Sequence, residues 1–204
     1  GYTGNGAGRP RELIARGKVV VLEDEGADTG QLADLRVNEM LDRADLKYAV
    51  LREEFLCLPE REHNGERRAL VTFGGSDPAN LAERVTDLLH EECELQVIRP
   101  GEHVSMARAM RECSLVVTSQ GRTVLECAAA SAPCLSLAAN ERESRHVRIP
   151  GPVYLGIHSA ATDAMIRQTV KATLDSAALR AEMADTARRA IDDRGCDRLV
   201  RRIE

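Results

Sequence analysis

From residue 69 onward the chain alternates short, β-branched apolar runs with amphipathic stretches of helical length, and this alternation narrows its fold more than any other feature. Residues 69–73, 95–98, 115–118 and 134–137 read as strands. Residues 78–90 read as a helix with Leu81, Val85, Leu88 and Leu89 on one face. Residues 104–111 and 122–130 read as further helices, and helices at about 162–175, 177–192 and 196–203 close the chain. Strands joined by helices of this length build a parallel sheet covered on both faces. The expected fold is therefore α/β and Rossmann-like.

The region ahead of residue 69 is less regular. Residues 1–17 are Gly-rich and then basic, which suggests a mobile tail leading into a short helix. Residues 18–23 (KVVVLE) read as a strand, followed by the acidic, Gly-bearing Asp24, Glu25 and Gly26. Residues 35–38 and 48–51 read as weaker strands. Together they suggest a partial α/β unit over residues 1–58. The polar stretch 59–68 reads as a linker, and residues 69–204 as a complete Rossmann-like domain with C-terminal helices.

Composition excludes several functions. Aromatic residues are 2% of the chain, with no Trp, so the core must be built of Leu, Val and Ala. A stacking platform for single-stranded nucleic acid is not expected. A net charge of −5 leaves no basic footprint for duplex DNA. No apolar run approaches the roughly 20 residues that cross a bilayer, and no signal-like segment opens the sequence. The expected compartment is the cytoplasm. The six cysteines show no CxxC spacing and read as small buried hydrophobes rather than metal ligands or disulfides. No metal site and no cofactor are expected. The first residue is Gly rather than Met, which suggests a fragment or a processed chain.

Three segments carry potential chemistry. In Phe73-Gly74-Gly75-Ser76-Asp77-Pro78 a strand ends in a Gly-Gly turn, with Asp77 expected as helix N-cap and Pro78 at the first helical position. Backbone N–H groups there, approached closely past Gly74 and Gly75, would make an anion cradle. A plain strand–helix turn fits the same spacing equally well. Neither the Walker spacing nor GxGxxG is present. In the run from Thr118 to Glu126 (TSQGRTVLE), Ser119, Gly121, Thr123 and Val124 could offer donors to a diphosphate. Glu126, near the first helical turn, could accept from both hydroxyls of a ribose. Alternatively, it only complements the helix dipole. Both turns fall at carboxyl ends of strands in one parallel sheet, where open α/β folds bind ligands. The third segment, 139–146, is densely polar, and Asn140 and Glu141 could contact a sugar if it is more than a solvated loop. His146 is a candidate for acid–base work because imidazole as a side-chain class suits proton transfer near neutral pH, although a lone His in a polar loop is often a bystander. His63, His90, His103 and His158 show no triad or metal pattern.

Taken together, these segments resemble one family. Tyr48-Ala49-Val50-Leu51-Arg52-Glu53-Glu54-Phe55 is similar to the YALLRPEF segment of the UDP-sugar hydrolases of pseudaminic acid biosynthesis. These are UDP-2,4-diacetamido-2,4,6-trideoxy-β-L-altropyranose hydrolases, related to spore-coat polysaccharide proteins. FGGSDPANL, starting at Phe73, resembles their GGxDPxN turn, and the stretch from Ser119 to Glu126 resembles their GGSTxxE stretch. Tyr154-Leu155-Gly156 and the IDDRGCDR run starting at Ile191 resemble their YLG and iDGxGaxR elements. The match runs from about Lys18 to the end of the chain.

The resemblance implies a GT-B architecture, two Rossmann-like domains flanking a cleft, with the C-terminal domain gripping UDP. It places Gly75, Ser76 and Asp77 near phosphates or sugar, Ser119, Gly121 and Thr123 near the diphosphate, and Glu126 near the ribose. The implied reaction is attack of water at the anomeric carbon, releasing UDP. The family's catalytic His lies in a GxGHxxR segment that is not found here, since GNGAGRPR at residues 4–11 has no His. Roughly the first third of the family's length is absent. The triplet Asn140-Glu141-Arg142 stands where the family has an ENQ-like one. Three functions therefore stay open: a UDP-sugar hydrolase or glycosyltransferase-like enzyme of surface-polysaccharide or nonulosonic acid biosynthesis; a non-catalytic nucleotide-sugar-binding module, with a fusion or partner domain (such as a cytidylyltransferase) supplying the missing half; and an α/β interaction domain.

Overall fold

A computed structural model of the chain describes residues 18–22, 33–61 and 67–204. The tail expected at residues 1–17 and the acidic turn at 24–26 lie outside the described residues. Two short parallel strands, β1 (Val20–Leu22) and β2 (Leu35–Val37), pair with each other. Five more form the main sheet: β3 (Arg68–Thr72), β4 (Glu94–Ile98), β5 (Leu115–Ser119), β6 (Cys134–Ala138) and β7 (Val153–Ile157). Their spatial order is β4-β3-β5-β6-β7, and every pairing is parallel. The fold is the expected α/β, Rossmann-like one.

The helices are α1 (Leu81–Leu89), α2 (Met106–Glu112), α3 (Arg122–Ala129), the single turn α4 (Glu141–Ser144), α5 (Asp163–Asp175), α6 (Ala177–Ala190) and α7 (Gly195–Ile203). Strand direction of travel reverses after β4. Right-handed crossovers therefore put α1 on one face of the sheet and α2 and α3 on the other. The side chains agree. Leu70, Val116 and Cys134 join Met110 of α2 and Val124 and Leu125 of α3 in one core, which Leu51 and Phe55 of the N-terminal region also enter. Their strand neighbours Val71, Val117 and Leu135 join Val85 of α1 and Ile166 and Val170 of α5 in the other. Both faces are covered, which is why β5 is apolar or small throughout and buried along its whole length.

Several local expectations change. Residues 48–51 are not a strand. Tyr48 ends a 3-10 turn (Arg43–Tyr48), and residues 49–51 follow as mostly buried, irregular chain with no strand pairing among the described residues. Strand β7 was not anticipated. It is half-exposed, and its pairing with β6 is irregular between Ser136 and Ala138. Residues 139–146 contain α4 rather than only loop. Helix α1 starts at Leu81, three residues after Pro78, because Asp77 and Asn80 adopt positive φ (26° and 52°) and fold residues 77–80 into a turn. Asp and Asn tolerate that region better than other side chains.

The cysteines divide. Cys113, Cys127 and Cys134 are buried as expected, but Cys57 is exposed and Cys93 and Cys196 are half-buried. Burial pushes the Cys113 thiol up to about 11 and the Cys127 thiol upward as well, which disfavours the reactive thiolate.

The C-terminal helix returns to the start of the chain. Leu199 of α7 packs with Val37 and Tyr48 in a third, smaller core. Arg202 donates to the Tyr48 hydroxyl at 2.7 Å, and Arg198 to the Lys47 carbonyl at 3.0 Å.

Candidate functional site

In this strand order the chain moves one way from β3 to β4 and the other way from β4 to β5. The switch point lies between the adjacent strands β3 and β5, and their carboxyl ends frame the usual ligand crevice of such sheets. Thr72 pairs with Thr118, and Thr118 with Ser136. The turns after β3, β5 and β6 therefore emerge side by side, and the three segments singled out from the sequence share one mouth. The Thr118 hydroxyl, fully buried beneath it, has no hydrogen-bond partner among the described residues.

In the turn after β3, Gly74 has φ 78°, which glycine alone adopts freely. A Cβ added at Gly74 or Gly75 would meet nothing within 4 Å, so the space over the turn is open. Gly75 and Ser76 are exposed. Asp77 is committed elsewhere. Its carboxylate accepts from the backbone N–H of Leu81 at 2.8 Å and of Ala82 at 2.9 Å. The side chain caps α1 from across the 77–80 turn, and it uses the first-turn donors that an anion at this helix would need. Asp77→Ala is expected to cost about 1–2 kcal/mol of stability in denaturant unfolding, with Asp77→Asn recovering part of it. No measurable change in either variant would show the cap to be unimportant.

At the end of β5 and in the turn after it, Ser119 and Gln120 are buried. Gly121 stands at the N-cap of α3 with no side-chain cap, in extended backbone (φ −130°) that any residue adopts. Thr123 is half-exposed and Val124 is buried in the core under α3. Gln120 is tied on every side. Its N–H donates to Leu137 O, its Oε1 accepts from Ser136 Oγ at 2.6 Å, and its Nε2 donates to Val147 O at 3.3 Å.

Glu126 lies one turn further along α3, buried, with both oxygens on one guanidinium. Arg52 Nε donates to Oε1 at 2.7 Å and Nη2 to Oε2 at 3.1 Å. This hydrogen bond is the main cause that raises the Arg52 pKa, against the lowering effect of burial. Four residues back, Arg122 donates to Glu39 Oε1 at 3.1 Å and to Val50 O at 2.7 Å, and Glu39 is buried. The two pairs are reciprocal. Arginine of the N-terminal region meets glutamate of α3, and arginine of α3 meets glutamate of the N-terminal region.

After β6, Asn140 caps α4 by accepting from Glu143 N at 3.0 Å, while Glu143 accepts from Ala139 N at 2.9 Å. Glu141 is exposed, 3.4 Å from the Ser144 hydroxyl that it accepts from. His146 Nδ1 lies 2.6 Å from the Gln120 carbonyl. A carbonyl only accepts, so Nδ1 is the donor, and in the neutral tautomer this leaves the lone pair on Nε2. Val147 N donates to Met40 O, and Arg43 to Arg148 O at 2.8 Å, which ties this loop to the N-terminal region.

The sequence reading missed Arg52, Glu39, Arg122 and Gln120 as members of the site. Arg52 stood inside a quoted motif, but nothing in it indicated a partner 74 positions away. Among the described residues, no group of three or more His, Cys, Asp or Glu side chains could hold a metal ion, and no helix is long and apolar enough to cross a membrane.

No protein-family model matches the sequence, and no curated protein matches it. Solved structures do. MurG of Acinetobacter baumannii superposes with a TM-score of 0.63 at 16% identity, over 94% of this chain and 68% of that one. A TarM variant of S. aureus, in complex with fondaparinux, α-GlcNAc-glycerol and UDP, gives 0.53 at 12% identity, over 88% of this chain and 42% of that one. The spinosyn forosaminyltransferase SpnP gives 0.53 at 16% identity, over 90% of this chain and 54% of that one. These are GT-B, glycosyltransferase-like proteins, and the chain shares their fold. It spans about two thirds of MurG and roughly half of the other two.

Proposed function

We propose that the chain binds a nucleotide diphosphate sugar at the mouth of its main sheet, with UDP as the nucleotide. We further propose that it belongs to a UDP-sugar hydrolase or glycosyltransferase-like enzyme of the kind that serves surface-polysaccharide or pseudaminic acid synthesis, in the cytoplasm. The observation that carries this is the meeting of two turns at the β3/β5 switch point. One has open space over Gly74 and Gly75, and the other begins α3 without a side-chain cap. The presence of UDP with a TarM of the same fold adds support. In this assignment Gly75, Ser76, Ser119, Gly121 and Thr123 line the phosphate path, Glu126 takes the ribose, and Asn140 and Glu141 lie on the sugar side. Residues 1–58 then belong to the facing half of a cleft, joined through 59–68.

Calorimetry with UDP, CMP and ADP tests this. Heat is expected to be strongest with UDP, and equal or absent heats for all three would sink it. Glu126→Ala is expected to weaken UDP binding by about 1.5–3 kcal/mol, as for loss of hydrogen bonds to a charged group. Glu141→Ala, at an exposed and solvated position, is expected to weaken it less.

A second function, a binding module without chemistry, is favoured by one feature. The carboxylates of Asp77, Glu126 and Glu143 at the mouth are already engaged by protein donors.

A further inference from the structure

The ribose assignment of Glu126 has a competitor built into the fold. A bidentate arginine and a vicinal diol both seek the two oxygens of one carboxylate, and Arg52 already takes both. Arg52 is not a sealed structural group. About half of its side chain is exposed (49%), against 7% for Glu126. Its guanidinium lies over the Phe55 ring at 5.1 Å, and Nη1 reaches Glu54 at 3.0 Å. Five donors on a planar fork leave it N–H groups beyond those three contacts. Glu126 lies five positions beyond Gly121, which stands at the uncapped start of α3. At 1.5 Å per residue this is about 7.5 Å, comparable to the reach from a ribose ring to its own diphosphate.

We propose that Arg52 is the specificity-determining residue of this site: it yields Glu126 only to a ligand that brings both a ribose diol for the carboxylate and a phosphate anion for the displaced guanidinium. This rests on the ribose role of Glu126. A nucleoside must break the pair and gives Arg52 nothing in return. A nucleoside diphosphate exchanges one anion for another, so the guanidinium stays paired. Arginine suits this exchange because its fork matches carboxylate and phosphate alike. The site thereby discriminates against uridine more strongly than loss of phosphate contacts alone requires.

The test is titration of the full chain with uridine and with UDP, in the parent, in Arg52→Met and in Glu126→Gln. Arg52→Met keeps the apolar stem over Phe55 and removes the donors. It is expected to bind uridine about fivefold more tightly and UDP no more tightly than the parent, so that the ratio of the two dissociation constants falls by about fivefold or more. Should Arg52→Met fail to give a cooperative thermal transition, Arg52→Lys serves in its place. It keeps the charge but loses the fork, and is expected to tighten uridine binding while sparing UDP. A ratio within about twofold of the parent in the folded variant, with UDP binding still weakened in Glu126→Gln, overturns the role of Arg52 and leaves the ribose assignment standing. UDP binding unchanged in Glu126→Gln overturns the ribose assignment itself, and this proposal with it.

Discussion

Gly195→Ala is expected to destabilise the chain by about 2–4 kcal/mol in denaturant unfolding. Gly195 opens α7 with its backbone pressed against residue 49. A Cβ there would collide with the Ala49 carbonyl oxygen and stand 2.8 Å from the Ala49 carbonyl carbon and nitrogen. Those are backbone atoms of a buried segment and cannot step aside as a flexible side chain can. Relief requires α7 to move away from Ala49 and the Arg43–Tyr48 turn before it. That movement strains the contact of Leu199 with Val37 and Tyr48 and the bonds from Arg198 and Arg202. The N-terminal strands and the last helix should therefore lose hydrogen-exchange protection ahead of the main sheet. Gly75→Ala is the control. It has no atom within 4 Å of its new methyl and no positive φ, and is expected to be near neutral. A Gly195→Ala loss below about 0.5 kcal/mol, the scale of ordinary surface changes, would mean that α7 is not clamped as described.

That same contact shows why residues 48–51 defied the sequence reading. An apolar run reports burial, and burial beneath a helix looks the same in sequence as burial within a sheet. What makes a strand is a neighbour to pair with, and the neighbour of Ala49 is a helix start some 146 positions later. From β3 to β6 the situation is the reverse. Each strand pairs with strands brought close by short crossovers, so periodicity and spacing carry the topology. Strand β7 fell below detection because it is half-exposed and interrupted by Gly156 at φ 100°. The site was legible to the same degree. Its three turns are local features of strand ends and helix starts, and they meet because the sheet is parallel. The partners of its charges were not legible. Asp77 was expected to cap α1 through an N-cap position and instead caps from beyond a turn. Glu126 was placed correctly on α3, but Arg52 and the reciprocal Glu39–Arg122 pair depend on how the N-terminal region lies over that helix.

Release of UDP from UDP-N-acetylglucosamine by the 204-residue chain is expected to run far below an ordinary enzymatic rate of about 1 s⁻¹. Attack of water on an anomeric carbon gains typically 10²–10⁴-fold from a group that positions and deprotonates the water. Three of the carboxylates at this mouth are poorly placed to serve. Asp77 holds the start of α1, Glu126 holds Arg52, and Glu143 holds the Ala139 N–H. Each would have to leave a hydrogen-bond donor before it could position a water. Phosphate contacts cannot compensate. They grip substrate and transition state alike, and so raise affinity more than rate. Besides the exposed, solvated Glu141, the group left is His146, whose Nδ1 donates to the Gln120 carbonyl and whose Nε2 holds the lone pair in the neutral tautomer. The rate is therefore to be measured in the parent chain and in His146→Gln. Equal slow rates in the two are the expected result. Turnover near 1 s⁻¹ in the parent, lost in His146→Gln with UDP binding retained, would instead show that the imidazole supplies the base and that the bonds of Gln120 to Ser136, Leu137 and Val147 serve to aim it.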